Sequence, residues 1–321
     1  MTTDEHVNGD NRYRDALARI AAIAASVTTE NGETAEADTD IGCRIKVLPP
    51  RLRERAAANA RKINPVNAPL QAPLGRTAPL DPQRLTLDTA RYWGPAQRQF
   101  TVSFLESTPA DLRARILEHM NAWNASCGMS FVLTNGTGEV RISRGPGGFW
   151  SYLGTDIHLI PTHRPTMNLQ GFTMNTRESE YHRVVRHETG HTLGFPHEHM
   201  RRELVARIDP QRAYAFFLAT QGWDRAMVDA QVLTSLDDAS IFGTPADQDS
   251  IMCYQLPGQI TVDRQPIRGG LDINTTDAGF AGRIYPPAVA PAPGPTGNAA
   301  EAADWDEVDD WDEADDLPTL V

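Results

Sequence analysis

Eleven residues constrain this chain more than all the others. From His187 to His197 it reads His-Glu-Thr-Gly-His-Thr-Leu-Gly-Phe-Pro-His. The apolar pattern around it, from Thr176 through Val184, Val185 and His191, predicts a helix that stops at Gly194, a residue suited to a left-handed C-cap. Residues i and i+4 of a helix share a face one turn apart, so the His187 and His191 imidazoles can reach one tetrahedral metal. Glu188 stands one step round from the first of them, placed to address a metal-activated water without ligating the metal. Gly194 lets the chain turn back sharply, and His197 then supplies a third nitrogen. Three histidines leave a fourth position for water, as a catalytic zinc site requires and a structural one does not. Five such fixed positions arise by chance in roughly one chain of this length per 10⁴ to 10⁵.

Charge placement removes several other classes. The net charge of −12 is concentrated in ten acidic residues between Glu301 and Asp316, so the body of the chain is nearly neutral and shows no footprint for a polyanion. Nucleic acid is therefore not an expected partner. No run approaches the roughly 18 apolar residues of a membrane span. The start of the chain, with Asp4, Glu5, Asp10 and Asp15, is too acidic for a signal-peptide n-region. The cytoplasm is the default expectation, with leaderless secretion as the alternative. Cys43, Cys127 and Cys253 cannot all pair and lack CxxC spacing, so a disulfide framework is not expected.

Three regions follow from composition. Residues 1–85 hold an amphipathic pattern over 10–27 and then a polar, proline-punctuated stretch, read as a partly disordered pro-segment or regulatory region. Residues 86–286 are read as the catalytic domain. Its expected elements are a strand over 100–105, a helix N-capped by Thr108 with its stripe over 112–123, and strands at 131–133, 140–142, 150–153 and 157–160. Shorter helices are expected at 210–219, 223–233 and 276–284. Residues 287–321 are a proline-rich linker and an acidic tail with Trp305 and Trp311, expected to be disordered. Whatever partner the tail has is unknown.

The stretch His187 to Glu198 resembles the extended zinc signature of the metzincin metalloendopeptidases, and Phe195 and Glu198 point to the astacins among them. Ser250-Ile251-Met252-Cys253-Tyr254 resembles their Met-turn, and Gly148 to Gly154 resembles the edge strand on which they lay substrate. The resemblance covers roughly residues 88–286. It implies an α+β zincin domain: a twisted mixed sheet and the active-site helix above a cleft, with an irregular lower part carrying the Met-turn and a C-terminal helix. It implies one catalytic Zn²⁺ held by His187, His191 and His197, with Met252 as the apolar floor and Tyr254 as an additional ligand that can turn to the developing oxyanion. Internal peptide bonds of proteins or peptides would be cut by a zinc-activated water with Glu188 as general base. Trp150, Ser151 and Tyr152 would bind the peptide as an added strand.

The departures from the family's pattern are equally specific. Only Cys127 and Cys253 fall within the domain, so the usual two disulfides are not expected. The partner of Glu198 is open between a freed amino terminus and a local pair with Arg201 or Arg202. Cys43 suggests a cysteine switch, and Val7-Asn8-Gly9-Asp10 an aspartate switch, each on a likeness of only a few residues. The other histidines (His6, His119, His158, His163, His182, His199) show no ligand spacing and are read as structural. Two rival classes are a zinc-binding module that does not cleave, which the presence of Glu188 and Tyr254 disfavours, and an interaction protein acting through its acidic tail.

Overall fold

The computed structural model describes residues 43–67, 90–236 and 246–287, and the backbone of 87–88 and 241–242. The helix expected over 10–27, the Val7 to Asp10 motif and the acidic tail with its tryptophans lie outside the described residues.

Strands β1 (Cys43–Lys46), β2 (Leu87–Asp88), β3 (Arg98–Phe104), β4 (Met129–Leu133), β5 (Val140–Ser143), β6 (Phe149–Tyr152), β7 (Met167–Leu169) and β8 (Ile241–Phe242) follow one another in sequence. Six of them form one mixed sheet in the order β1-β6-β7-β5-β3-β4, while β2 and β8 pair separately. β3, β4, β5 and β7 run parallel; β6 is antiparallel to β7, and β1 is parallel to β6. The alternation that predicts β3 comes from Phe100 and Val102, both fully buried. Phe100 stacks on its parallel partner Phe131 at 5.2 Å between ring centroids.

One helix packs across the sheet because its apolar residues recur at helical spacing. Helix α1 (Arg53–Ile63) lies N-terminal to it; α2 (Ala110–Met120) buries Leu112, Ile116 and Met120 on one stripe. Its start differs from expectation: Pro109 is the N-cap, and the Thr108 hydroxyl donates to Glu106 O at 3.0 Å instead of capping. The predicted active-site helix is present over 178–192. It opens with a short α segment, passes through a π-turn at Tyr181–Val185 and ends as α3 (Arg186–Thr192). Of residues 157–160, expected as a strand, the first three end a 3-10 helix, Gly154–Leu159, and Ile160 follows it in extended conformation. Ile157, Leu159 and Ile160 are all buried there, and so short an apolar run has no period to tell a strand from a tight helix.

Two apolar cores build the domain, and Phe149 of β6 packs against both. The upper one joins the sheet, α2 and the active-site helix, and it also takes in Leu48 and Leu52 from residues 43–67. The lower one gathers Leu204, Phe217, Trp223, Leu256 and Ile267 with α4 (Pro210–Gln221), which Asp209 caps at its start and Gly222 ends in the left-handed region. The expected helix at 223–233 is a single turn, Arg225–Val228, followed by a π-turn, Asp229–Leu233. Helix α5 (Thr275–Ile284) closes the domain with a capping box between Asn274 and Asp277. Among the described residues no helix is long and apolar enough to cross a membrane.

Glu139 ties the sheet to the 3-10 helix. Its carboxylate pairs with Arg98 at 2.5 Å and His158 at 3.0 Å. Burial works to raise its pKa, but the hydrogen bond from His158 and the charge of Arg98 outweigh it and bring the group down from 4.5 to about 2. A depressed carboxylate adds stability above its unfolded value and loses it as pH falls through the folded one. Glu139→Gln should therefore lower unfolding stability at pH 7 by about 1–3 kcal/mol. The difference from wild type should shrink between pH 4.5 and about 2 in urea melts; a constant difference across that range would show that the pairing contributes nothing pH-dependent.

Candidate metal centre

Four side chains from three parts of the chain converge below the sheet. His187 and His191 come from α3, His197 from the segment after Gly194, and Cys43 from β1; one ligand atom of each lies within 4.8 Å of all the others, and all four residues are buried. The return of the chain to His197 depends on Gly194, whose φ of +94° is in the left-handed region. Phe195 N–H then donates to Gly190 O at 3.0 Å and Gly194 N–H to His191 O at 2.8 Å, closing the helix end.

Backbone carbonyls set the tautomers. His187 Nδ1 donates to Ile251 O at 2.6 Å and His191 Nδ1 to Phe195 O at 2.7 Å, since a carbonyl can only accept. Both Nε2 atoms are left with a lone pair. His187 Nε2 is buried without a hydrogen-bond partner. His191 Nε2 faces His197 Nε2 at 3.0 Å and Cys43 Sγ at 3.3 Å. Zinc with nitrogen ligands at 2.0–2.1 Å spaces tetrahedral donors roughly 3.3 Å apart, so the donor set fits that ion. Burial also holds the rings neutral, the form that ligates: His187 is lowered to about 4, and His191 and His197 well below the usual histidine range.

Beneath this point lies the turn Ser250 to Tyr254. Met252 is buried, and a Cβ on Gly190 would sit 2.4 Å from its sulfur and 3.3 Å from the Trp123 ring, so the middle of the motif must be glycine for floor and helix to touch. Tyr254 is buried in an aromatic stack, 4.2 Å from the His197 ring centroid and 4.4 Å from that of His199. Burial, then the nearby Cys43 and Glu188, raise its hydroxyl well above the tyrosine range. Glu188 is fully buried. The Cys43 thiol is pushed well up by burial and further by the charge of Glu188. A cavity of about 290 Å³ opens beside these groups, lined by Phe149, Glu180, Arg183, Val184 and Leu271 among others.

His187, His191, His197, Glu188, Met252 and Tyr254 gather around this point, while the expected substrate-strand residues have a different setting. Trp150, Ser151 and Tyr152 lie on β6, but the outer edge of β6 is covered by β1, with Cys43 opposite Phe149 and Lys46 opposite Tyr152. Glu198 is buried and accepts from Asp247 N–H at 3.3 Å. All three cysteines are buried and free. Of the histidines without ligand spacing, His158 pairs with Glu139, whereas His119 and His182 both meet Glu178 Oε1 at 3.2 Å.

Asp277 is the supporting residue that sequence reasoning missed. Its carboxylate, raised to about 6 by burial, accepts from Ser250 Oγ at 2.7 Å and Ile251 N–H at 2.9 Å. It thereby fixes Ile251, the turn residue whose carbonyl orients His187. Its visible signal was only the Asn-Thr-Thr-Asp capping pattern of α5, which explains a helix start and not a distant turn. From the opposite side, Trp93 Nε1 donates to Thr192 O at 2.8 Å and Tyr285 Oη to Leu193 O, satisfying the last carbonyls of α3.

A mixed sheet over a helix that carries two of three converging histidines, closed below by a methionine turn, defines a metzincin-type zincin fold. A model of the astacin peptidase family matches residues 86–263. The chain belongs to that family. The zinc metalloproteinase nas-27 of Caenorhabditis elegans is 29% identical over 122 residues, 36% of this chain and 26% of that protein. The chain thus spans about a quarter of that relative's length. The solved structure of myroilysin aligns with a TM-score of 0.60 and 25% identity, covering 64% of this chain and 100% of that one.

Asp277→Ala should loosen the turn and with it His187. Such supporting groups are worth roughly 10- to 100-fold in metal affinity. Competition with a chromogenic chelator should show zinc affinity reduced by that factor at unchanged stoichiometry. Wild-type affinity would mean that Ile251 O is held without the carboxylate.

Proposed function

We propose that the chain is a zinc-dependent endopeptidase and that the conformation described is its latent state. His187, His191 and His197 would hold the ion; bound zinc supplies a Lewis acid and makes water nucleophilic near neutral pH. Glu188 takes the proton of the attacking water and passes it to the leaving amine. Tyr254 donates a hydrogen bond where negative charge develops on the carbonyl oxygen. Zinc fits the three-nitrogen donor set, and Glu188 is buried beside it where a structural site has no use for a carboxylate.

The observation that carries the latency is Cys43. Its sulfur stands 3.3 Å from His191 Nε2. A thiolate there completes a Cys-His₃ set, which is the closed type of zinc site with no place for water. β1 meanwhile occupies the edge of β6 where a substrate strand would add. Residues 43–46, and the N-terminal region they belong to, act on this reading as a strap that must leave before a protein or peptide enters.

Cys43→Ala should raise cleavage of a fluorogenic peptide library at least about tenfold over the parent chain. Adding Glu188→Gln should keep zinc and remove roughly 10²- to 10⁴-fold in rate, and adding Tyr254→Phe roughly 10- to 1000-fold. Chelation should abolish cleavage and zinc restore it. Equal rates for Cys43→Ala and parent would reject the latency; a zinc-loaded Cys43→Ala chain that cuts no peptide would reject the endopeptidase.

A further inference from the structure

β1 is held on both edges. Arg44 and Lys46 lie in its ladder with β6. Ile45 turns its backbone the other way, toward the lower wall of the cleft. There the Ile45 N–H donates to Gln231 Oε1 at 3.1 Å and Gln231 Nε2 donates to Ile45 O at 3.3 Å. One side-chain amide therefore takes both backbone groups of one strand residue, as a neighbouring strand would. Gln231 is itself buried, 7% exposed, on the π-turn Asp229–Leu233. π-turns are rare, and they are frequent at functional sites.

The backbone of Gln231 is also held from outside β1. His199 Nε2 donates to the Gln231 carbonyl at 3.0 Å, and the His199 ring stacks on Tyr254 with 14° between planes. The clamp is thus fixed to the wall that carries Tyr254. When β1 leaves, the amide faces the opened cleft with one donor and one acceptor that Ile45 no longer occupies. An extended peptide beside β6 presents one residue's N–H and C=O to that same side. Chain direction does not matter, because half a turn of the amide exchanges its oxygen and nitrogen.

We infer that Gln231 is a substrate-positioning residue: it grips the backbone of an extended peptide on the edge opposite β6, at the place that Ile45 fills in the latent chain. The inference rests on the endopeptidase reading. Recognition through N–H and C=O makes it independent of the peptide's side chain at that position.

A test must first disable β1. In a chain whose strap is intact, Gln231→Leu weakens strap and substrate alike, and the two effects on apparent KM cancel. Cys43→Ala with Arg44→Pro and Lys46→Pro removes the thiol and two ladder N–H groups. In that background Gln231→Leu, which keeps the volume and loses the amide, should raise KM for an extended fluorogenic peptide about tenfold, with kcat within about twofold. A peptide N-methylated at the gripped residue should lose affinity in the Gln231 chain and show no added loss in the Leu variant. Independently of cleavage, fluorescence polarisation of a labelled peptide on the same chains carrying Glu188→Gln should show the same tenfold ratio in Kd. Equal Kd values overturn the inference whatever the rates are. A tenfold Kd ratio with no cleavage in any chain leaves the clamp standing and removes the endopeptidase. In the chain with its strap intact, Gln231→Leu should speed thiol-reagent labelling of Cys43 about tenfold. Faster labelling with unchanged KM and Kd would confine Gln231 to the strap and overturn the inference.

Discussion

Everything in this domain serves the burial of three imidazoles at one point. An apolar setting keeps them neutral and able to ligate, but it also leaves no solvent to fix their orientation, so backbone carbonyls must do so. Ile251 O and Phe195 O hold His187 and His191, and each carbonyl needs its own support. For Phe195 that support is the closed helix end after Gly190. For Ile251 it is a carboxylate on the last helix, 26 residues further along the chain. Phe195, Ile251 and Met252 belong to the upper core, and Cys43 and Tyr254 to the lower one.

A second constraint is the sheet edge. β6 borders the cleft, and its outer N–H and C=O groups demand a partner, as any edge strand does. A peptidase that recognises extended peptides keeps that edge available, and an available edge invites capture of its own chain. β1 is such a capture: it satisfies the edge, brings a sulfur to the histidines and is braced from below by Gln231. On the proposed reading, inhibition and recognition draw on the same hydrogen-bonding groups. Lys46, whose ammonium lies 4.9 Å over the Trp150 ring, adds a side-chain contact to the same seat.

Much of this was legible in the sequence because the motif carries its own geometry. Helix periodicity places His187 and His191 on one face, Gly194 reverses the chain, and neither depends on the rest of the fold. The strands at 131–133 and 140–142, most of the strand at 150–153, which ends at Tyr152, and the helix stripe over 112–123, whose last residue Trp123 lies in a 3-10 turn, were readable because their apolar period is local. The strand expected at 157–160 failed because burial on all sides leaves no period.

What the sequence could not decide was who meets whom across long separations. Cys43 lies 148 residues from His191, Gln231 lies 186 from Ile45, and Asp277 lies 26 from Ile251. Cys43 suggested a cysteine switch on a likeness of a few residues, but nothing in the sequence said which histidine it would meet; a glutamine within a helical pattern and an aspartate in a capping pattern each have an ordinary local explanation. Local spacing determined that His187 and His191 share a helix face and that the chain turns back toward His197. Only tertiary packing determined that a strand from outside the motif fills the cleft, because pairing at a sheet edge is set by which backbone groups remain unsatisfied once the fold has formed.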